Sequence, residues 1–175
     1  MKTLLVDGYN VLRSTEAYSH LTEEIPDHTH DAFNRARQTL VTDVATFAGR
    51  DYEATIVFDG GGNPQSTGER REVAGIHVIF SPAGTSADSV IEELARAAVK
   101  RGREVLVVTS DAATQWTVLG GRVTRMSAAG FVREMSGVHQ GVSEAAEQQA
   151  SKRTLAQRLD SRTREALERL ARGER

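Results

Sequence analysis

Short runs of branched apolar residues recur along this chain, and three of them end in an aspartate. They read Leu4-Leu5-Val6 before Asp7, Thr55-Ile56-Val57-Phe58 before Asp59, and Val105-Leu106-Val107-Val108-Thr109-Ser110 before Asp111. Runs so short and so continuously apolar suit strands covered on both faces, as in a parallel sheet between layers of helices. Segments with helical spacing lie between them. Ala32, Phe33, Ala36, Leu40, Val44 and Phe47 predict a helix from about Thr29 to Ala48, stopped by Gly49. Val90, Ile91, Leu94, Ala95 and Ala98 predict another that begins at Asp88, with Ser86 as N-cap and Gly102 as its end.

The remaining elements follow the same logic. Further strands are expected at 76–80 and near 122–126, with a helix after Asp111 to about Leu119 and one opened by Ser127. Asp7-Gly8-Tyr9-Asn10 reads as a tight turn in which Gly8 allows an unusual backbone angle, followed by a polar stretch through Pro26 and Asp27. Gly60 to Gly68 is the least structured part by composition. The β-α-β-β-α-β-α order indicates the α/β class: a three-layer α/β/α domain with a mainly parallel central sheet. From about Ser143 the chain is rich in Ala, Glu, Gln and Arg, and Leu155, Leu159, Leu167 and Leu170 predict an amphipathic helix or helix pair. The expected organisation is one domain over 1–140 with a helical extension over 141–175.

In a parallel sheet the carboxyl ends of the strands open onto one edge, where ligands bind near the point at which strand order reverses. Asp7, Asp59 and Asp111 end strands there, and Asp88 opens a helix. Gathered together, four carboxylates raise one another's pKa values and need a cation. Their hard oxygens favour Mg²⁺ or Mn²⁺, so Asp7, Asp59, Asp88 and Asp111 are the candidate metal ligands. Each also has a plainer reading, since Asp after a strand is a common turn or cap residue. Asn10 shares the turn with Asp7 and can orient a water or a phosphate. Glu92 falls on the same helical face as Asp88, where it either supports catalysis or is a surface charge. Ser110 can donate to the same cluster. The Gly60–Gly75 segment lacks the Gly-Lys-Ser/Thr ending of a phosphate-binding P-loop. It is either a flap carrying Arg70 and Arg71 to a phosphate backbone or a mere connector.

Composition narrows the class. The absence of cysteine excludes disulfides and thiolate metal sites and fits a cytoplasmic protein. The net charge of -2 provides no global basic field for passive polyanion binding. No apolar stretch is long enough to span a membrane, and the N-terminus has no signal-peptide pattern, so no membrane partner is expected. His28 and His30 lie in a polar stretch and read as surface residues.

Leu4-Leu5-Val6-Asp7-Gly8-Tyr9-Asn10-Val11 resembles the opening motif of NYN domains, relatives of the PIN-domain nucleases. The order of Val57-Phe58-Asp59, Val78-Ile79-Phe80, Thr85-Ser86-Ala87-Asp88-Ser89-Val90-Ile91-Glu92, Val108-Thr109-Ser110-Asp111 and Arg125-Met126-Ser127-Ala128 is similar to that of the bacterial YacP-like group. Arg158-Leu159-Asp160 and Arg169-Leu170 resemble that group's C-terminal helix. The resemblance implies a PIN-like fold, divalent-metal-dependent RNA cleavage and action on mRNA engaged with the ribosome. It puts Asp7, Asp88 and Asp111 on acidic catalytic positions, flanked by Asp59 and Asn10.

The leading expectation is therefore an endoribonuclease that takes RNA, with the ribosome as partner, and acts as a monomer or weak homodimer. A non-catalytic RNA- or ribosome-binding module is the rival, and the acidic set weighs against it. A phosphatase of the haloacid type needs a second Asp two residues after the first, and that position is Tyr9.

Overall fold

Side chains of the first strand, β1 (Lys2–Asp7), alternate between two separate apolar layers. Leu4 and Val6 enter one and Leu5 the other. In β2 (Tyr52–Phe58), Ala54, Ile56 and Phe58 join the first layer and Val57 the second. Two-residue periodicity thus sends every run both ways, which is why the sequence shows unbroken apolar stretches. The structure, a computed structural model, describes residues 1–14, 16–18, 21, 30–60, 66–110 and 121–138. The chain divides into two compact units, Met1–Ser136 and Gly137–Arg175. The expected helix after Asp111, the loop residues 61–65 and the helical extension over 141–175 lie outside the described residues.

The first unit is a six-stranded sheet in the order β3-β4-β2-β1-β5-β6. Besides β1 and β2 it contains β3 (Arg70–Val73), β4 (Ile76–Phe80), β5 (Val105–Val108) and β6 (Val123–Met126). All neighbours run parallel except β3 against β4. On one face, α1 (Gly8–Ser14), α2 (His30–Ala48) and α4 (128–138) pack through Val11, Leu40, Val44 and Phe131. On the other, α3 (Ala87–Lys100) packs through Ala87, Ile91, Ala95 and Ala98. Ser86 caps α3 by accepting from the Ser89 N–H at 3.2 Å. Burying a side chain such as Ile91 stabilises by roughly 1.5–3 kcal/mol. The exposed Glu92–Arg96 ion pair beside it contributes less than about 1 kcal/mol, so apolar packing holds α3 to the sheet.

Three details differ from the sequence expectation. A short helix, α1, starts at Gly8, where a turn leading into a polar stretch was expected. Gly8 is needed for space, not for an unusual angle. It has no positive φ, whereas a Cβ there would stand 2.3 Å from Phe58 Cε1. Finally, residues 70–73 are neither flap nor connector but an edge strand, joined to β4 by the two-residue turn Ala74-Gly75 with φ of 52° and 79°.

From β1 the chain builds outward through β2 to β3 and β4, and α3 then crosses to β5 on the other side of β1. Strand order reverses between β1 and β5, so the crevice of this sheet opens at their carboxyl ends. Among the described residues, no helix is long and apolar enough to cross a membrane.

Candidate active site

Asp7 ends β1 at that crevice. Following the alternation of Leu5, it faces the side of the sheet covered by α3, whose first turn carries Asp88. Asp59 follows Phe58 at the end of the neighbouring strand. Asp7 is partly buried, Asp88 half-buried and Asp59 exposed.

Burial pushes the Asp7 carboxyl above the usual carboxylate range, and the negative charges of Asp88 and Asp59 push it further. The Asn10 N–H and the Arg13 guanidinium act in the opposite direction. Three acidic groups from separate elements therefore share one electrostatic site. Asp7 Oδ1 accepts the Asn10 N–H at 3.0 Å, which fixes the carboxylate while α1 begins. Asn10 Oδ1 in turn accepts the Ser110 N–H at 2.9 Å. Asn10 thus spans the crevice, tying the start of α1 to the end of β5.

Asp111, the next residue, lies outside the described residues. Among the described residues no group of three or more His, Cys, Asp or Glu is placed to hold a metal ion. The donor set still fits a hard divalent cation. Mg²⁺ commonly uses one or two carboxylates and keeps several waters, and Asp7 and Asp88 are oxygen donors whose like charges a cation would relieve.

The other expected residues fall elsewhere. Glu92 stands one turn after Asp88 and pairs with Arg96. Arg70 pairs with Glu53 at 3.0 Å, and Arg71 with Glu69 at 3.2 Å. Glu53 also pairs with Arg103, and these two arginines hold its carboxyl below the usual range. Both arginines expected to bind RNA are therefore engaged with carboxylates, Arg70 with one on β2 and Arg71 with one just before the edge strand.

Sequence reasoning missed a set of residues around Tyr9. Its hydroxyl accepts from Arg37 Nη1 at 2.8 Å, its ring meets Phe58 edge-on at 5.2 Å, and Arg13 lies over it at 5.4 Å. Tyr9 was in view as part of the motif. Arg37, 28 residues away on α2, had no local signal.

The model of the YacP-like NYN domain family matches residues 4–172. The YacP protein of Bacillus subtilis (strain 168) is 29% identical over 147 residues, covering 81% of this chain and 79% of that protein. The crystal structure of Rae1 (YacP) from Bacillus subtilis is 25% identical, with a TM-score of 0.68 over 99% of this chain and 97% of that one. A mutant of Rae1 gives 26% identity and a TM-score of 0.65, covering 86% of this chain and 85% of that one.

Proposed function

The chain belongs to the YacP-like NYN domain family, and on that premise we propose that it is a divalent-metal-dependent endoribonuclease. The observation that supports this reading is the half-buried Asp7 at the carboxyl edge where strand order reverses, with the charges of Asp88 and Asp59 near enough to raise its pKa. The similarity to Rae1 (YacP) supports a nuclease-type activity on RNA. The finer substrate, mRNA engaged with the ribosome in the cytoplasm, follows from the family resemblance.

Asp7 and Asp88 would hold Mg²⁺ or Mn²⁺, with Asp111 as a further ligand and Asp59 at the margin. When bound, such a cation offsets the charge of carboxylates and phosphate and makes a water more acidic. The chain's own groups do the positioning. The Asn10 N–H fixes one oxygen of Asp7, and the Asn10 side chain holds the Ser110 backbone beside it. Hydrolysis adds water across the bond between phosphorus and the 3′-oxygen, leaving 5′-phosphate and 3′-hydroxyl ends.

The experiment is cleavage of an end-labelled RNA by purified protein with Mg²⁺, Mn²⁺ or EDTA, on free RNA and on the same RNA in stalled ribosomes. Metal-dependent cleavage that Asp7→Asn abolishes is the expected result. Full activity of a folded Asp7→Asn overturns the assignment of the site. No cleavage in either setting, with RNA or ribosome binding retained, makes the chain a binding module.

A further inference from the structure

Beside the acidic edge lies a groove of about 580 Å³ between α2 and the outer strands. It runs along β4 from Phe80, at the carboxyl end, toward Val73 and Ala74, and Asn34, Arg37, Gln38 and Phe58 also line it. Among the described residues its walls carry one charge, that of Arg37, and no carboxylate. This contrasts with the acidic cluster around Asp7.

The aromatic arrangement is specific. Phe58 and Phe80 stack with ring centroids 5.4 Å apart and planes 26° from parallel. The Arg37 guanidinium sits 5.4 Å from the Phe80 centroid and 6.0 Å from that of Phe58. Phe80 is 37% exposed, although Phe58 is buried. Unstacked bases stack on aromatic rings and on guanidinium planes, and this partly exposed pair brings both together. The amides of Asn34 and Gln38 bring hydrogen-bonding groups to the same wall.

The groove is also wired to the site. Phe58 immediately precedes Asp59, and Arg37 donates to Tyr9 in the first turn of α1, two residues after Asp7. The groove and the carboxylates reach the same carboxyl edge of the sheet from opposite faces, Phe80 on the α2 side and Asp7 on the α3 side. A strand with one phosphate at the carboxylates would therefore turn a flanking base over that edge to enter the groove.

We propose that the Phe80–Arg37 groove receives one unstacked base of the substrate RNA, next to the scissile phosphate. The proposal deepens the endoribonuclease reading and rests on it for the identity of the ligand. Arg37 supplies a stacking plane and positive charge, Phe80 supplies the aromatic face, and the apolar floor excludes water.

The test uses the full-length wild-type chain with Ca²⁺ in place of Mg²⁺, an oxygen-seeking cation of the same charge and looser geometry, and a single-stranded RNA in which one abasic nucleotide is moved stepwise along the strand. The expected result is a single position at which losing the base weakens binding about tenfold. With Phe80→Leu added, the intact RNA should bind about tenfold more weakly, and the abasic penalty at that position should disappear. Melting temperature checks that the substitution leaves the fold intact. Even tolerance of every abasic position in the Phe80 protein, an undiminished penalty in the Phe80→Leu protein, or no RNA binding overturns the proposal. Cleavage by the wild-type chain in Mg²⁺ is measured in parallel. Absent cleavage with the base-dependent position present removes the nuclease and leaves the groove, and cleavage without such a position removes the groove alone.

Discussion

The side-chain oxygen of Asn10 accepts a hydrogen bond from the backbone N–H of Ser110, 2.9 Å away and 100 residues on in the chain. This bond crosses the one place where strand order reverses, so it sets the spacing between the start of α1 and the end of β5. Asn10→Ala should lower kcat at least tenfold while costing about 1 kcal/mol of stability. Cleavage kinetics and thermal melting of one preparation check both.

Asp7 contributes to stability with a definite sign. Its pKa is raised in the folded chain by burial and by Asp88 and Asp59, so its favourable contribution is complete below the usual carboxylate range and is lost as pH rises through the raised value. At neutral pH without metal the ionised group is a net cost. Asp7→Asn keeps an oxygen for the Asn10 N–H, so it should abolish cleavage and yet raise the metal-free melting temperature. Adding Mg²⁺ should raise the melting temperature of the wild type and leave that of the variant almost unchanged. A lowered metal-free melting temperature in the variant would contradict this account.

Glu53 has the opposite sign. Arg103 and Arg70 hold its carboxyl below the usual carboxylate range, so its contribution is present above that range and is lost as pH falls through the lowered value. Glu53→Gln should cost less than about 1 kcal/mol at neutral pH, because the group is partly solvated. Acid titration of its stability should be flatter than that of the wild type.

At Gly8 the constraint is steric. A methyl group there would collide with the buried Phe58 ring, which already packs against Tyr9 and Phe80. Gly8→Ala should destabilise by about 1–3 kcal/mol and disturb the Asp7 turn. Chemical denaturation together with cleavage rate would register both effects.

Ala74 is the one described residue other than glycine with positive φ, at 52°. Such a backbone costs an L-residue roughly 1–2 kcal/mol, against about 0.4–1 kcal/mol for the extra unfolded-state freedom of glycine. Ala74→Gly should therefore stabilise slightly, by under about 1 kcal/mol net. A higher denaturant midpoint with unchanged slope is the expected observation.

The parallel strands were legible because each is buried on both faces and carries an unbroken apolar run: Val105 and Val107 serve one layer, Leu106 and Val108 the other. The Ser86 cap was legible because a side-chain oxygen three residues before a free N–H is a local matter. Arg70-Arg71-Glu72-Val73 was not, since all four residues are exposed and no pattern of burial marks the strand. The start of α1 was hidden by a Gly-Tyr-Asn segment that favours turns when read alone. At the site, local sequence indicated the carboxylates, and the topology brings Asp7 and Asp88 to one face. The contacts of Arg37 with Tyr9, Phe58 and Phe80 depend on three elements meeting in space, which no spacing along the chain encodes.

The strand at residues 70–73 has a colloidal consequence. A sheet of five parallel apolar strands that ended at β4 would offer unpaired backbone groups to any neighbouring molecule, a template for fibrous assembly. Here the border is one short reversed strand bearing two cations and an anion, with Arg70 drawn to Glu53 and Arg71 to Glu69. Another copy adding itself to that border would have to strip water from those charges. The hairpin thus acts as a selvedge, a finished margin at which the weave of the sheet stops.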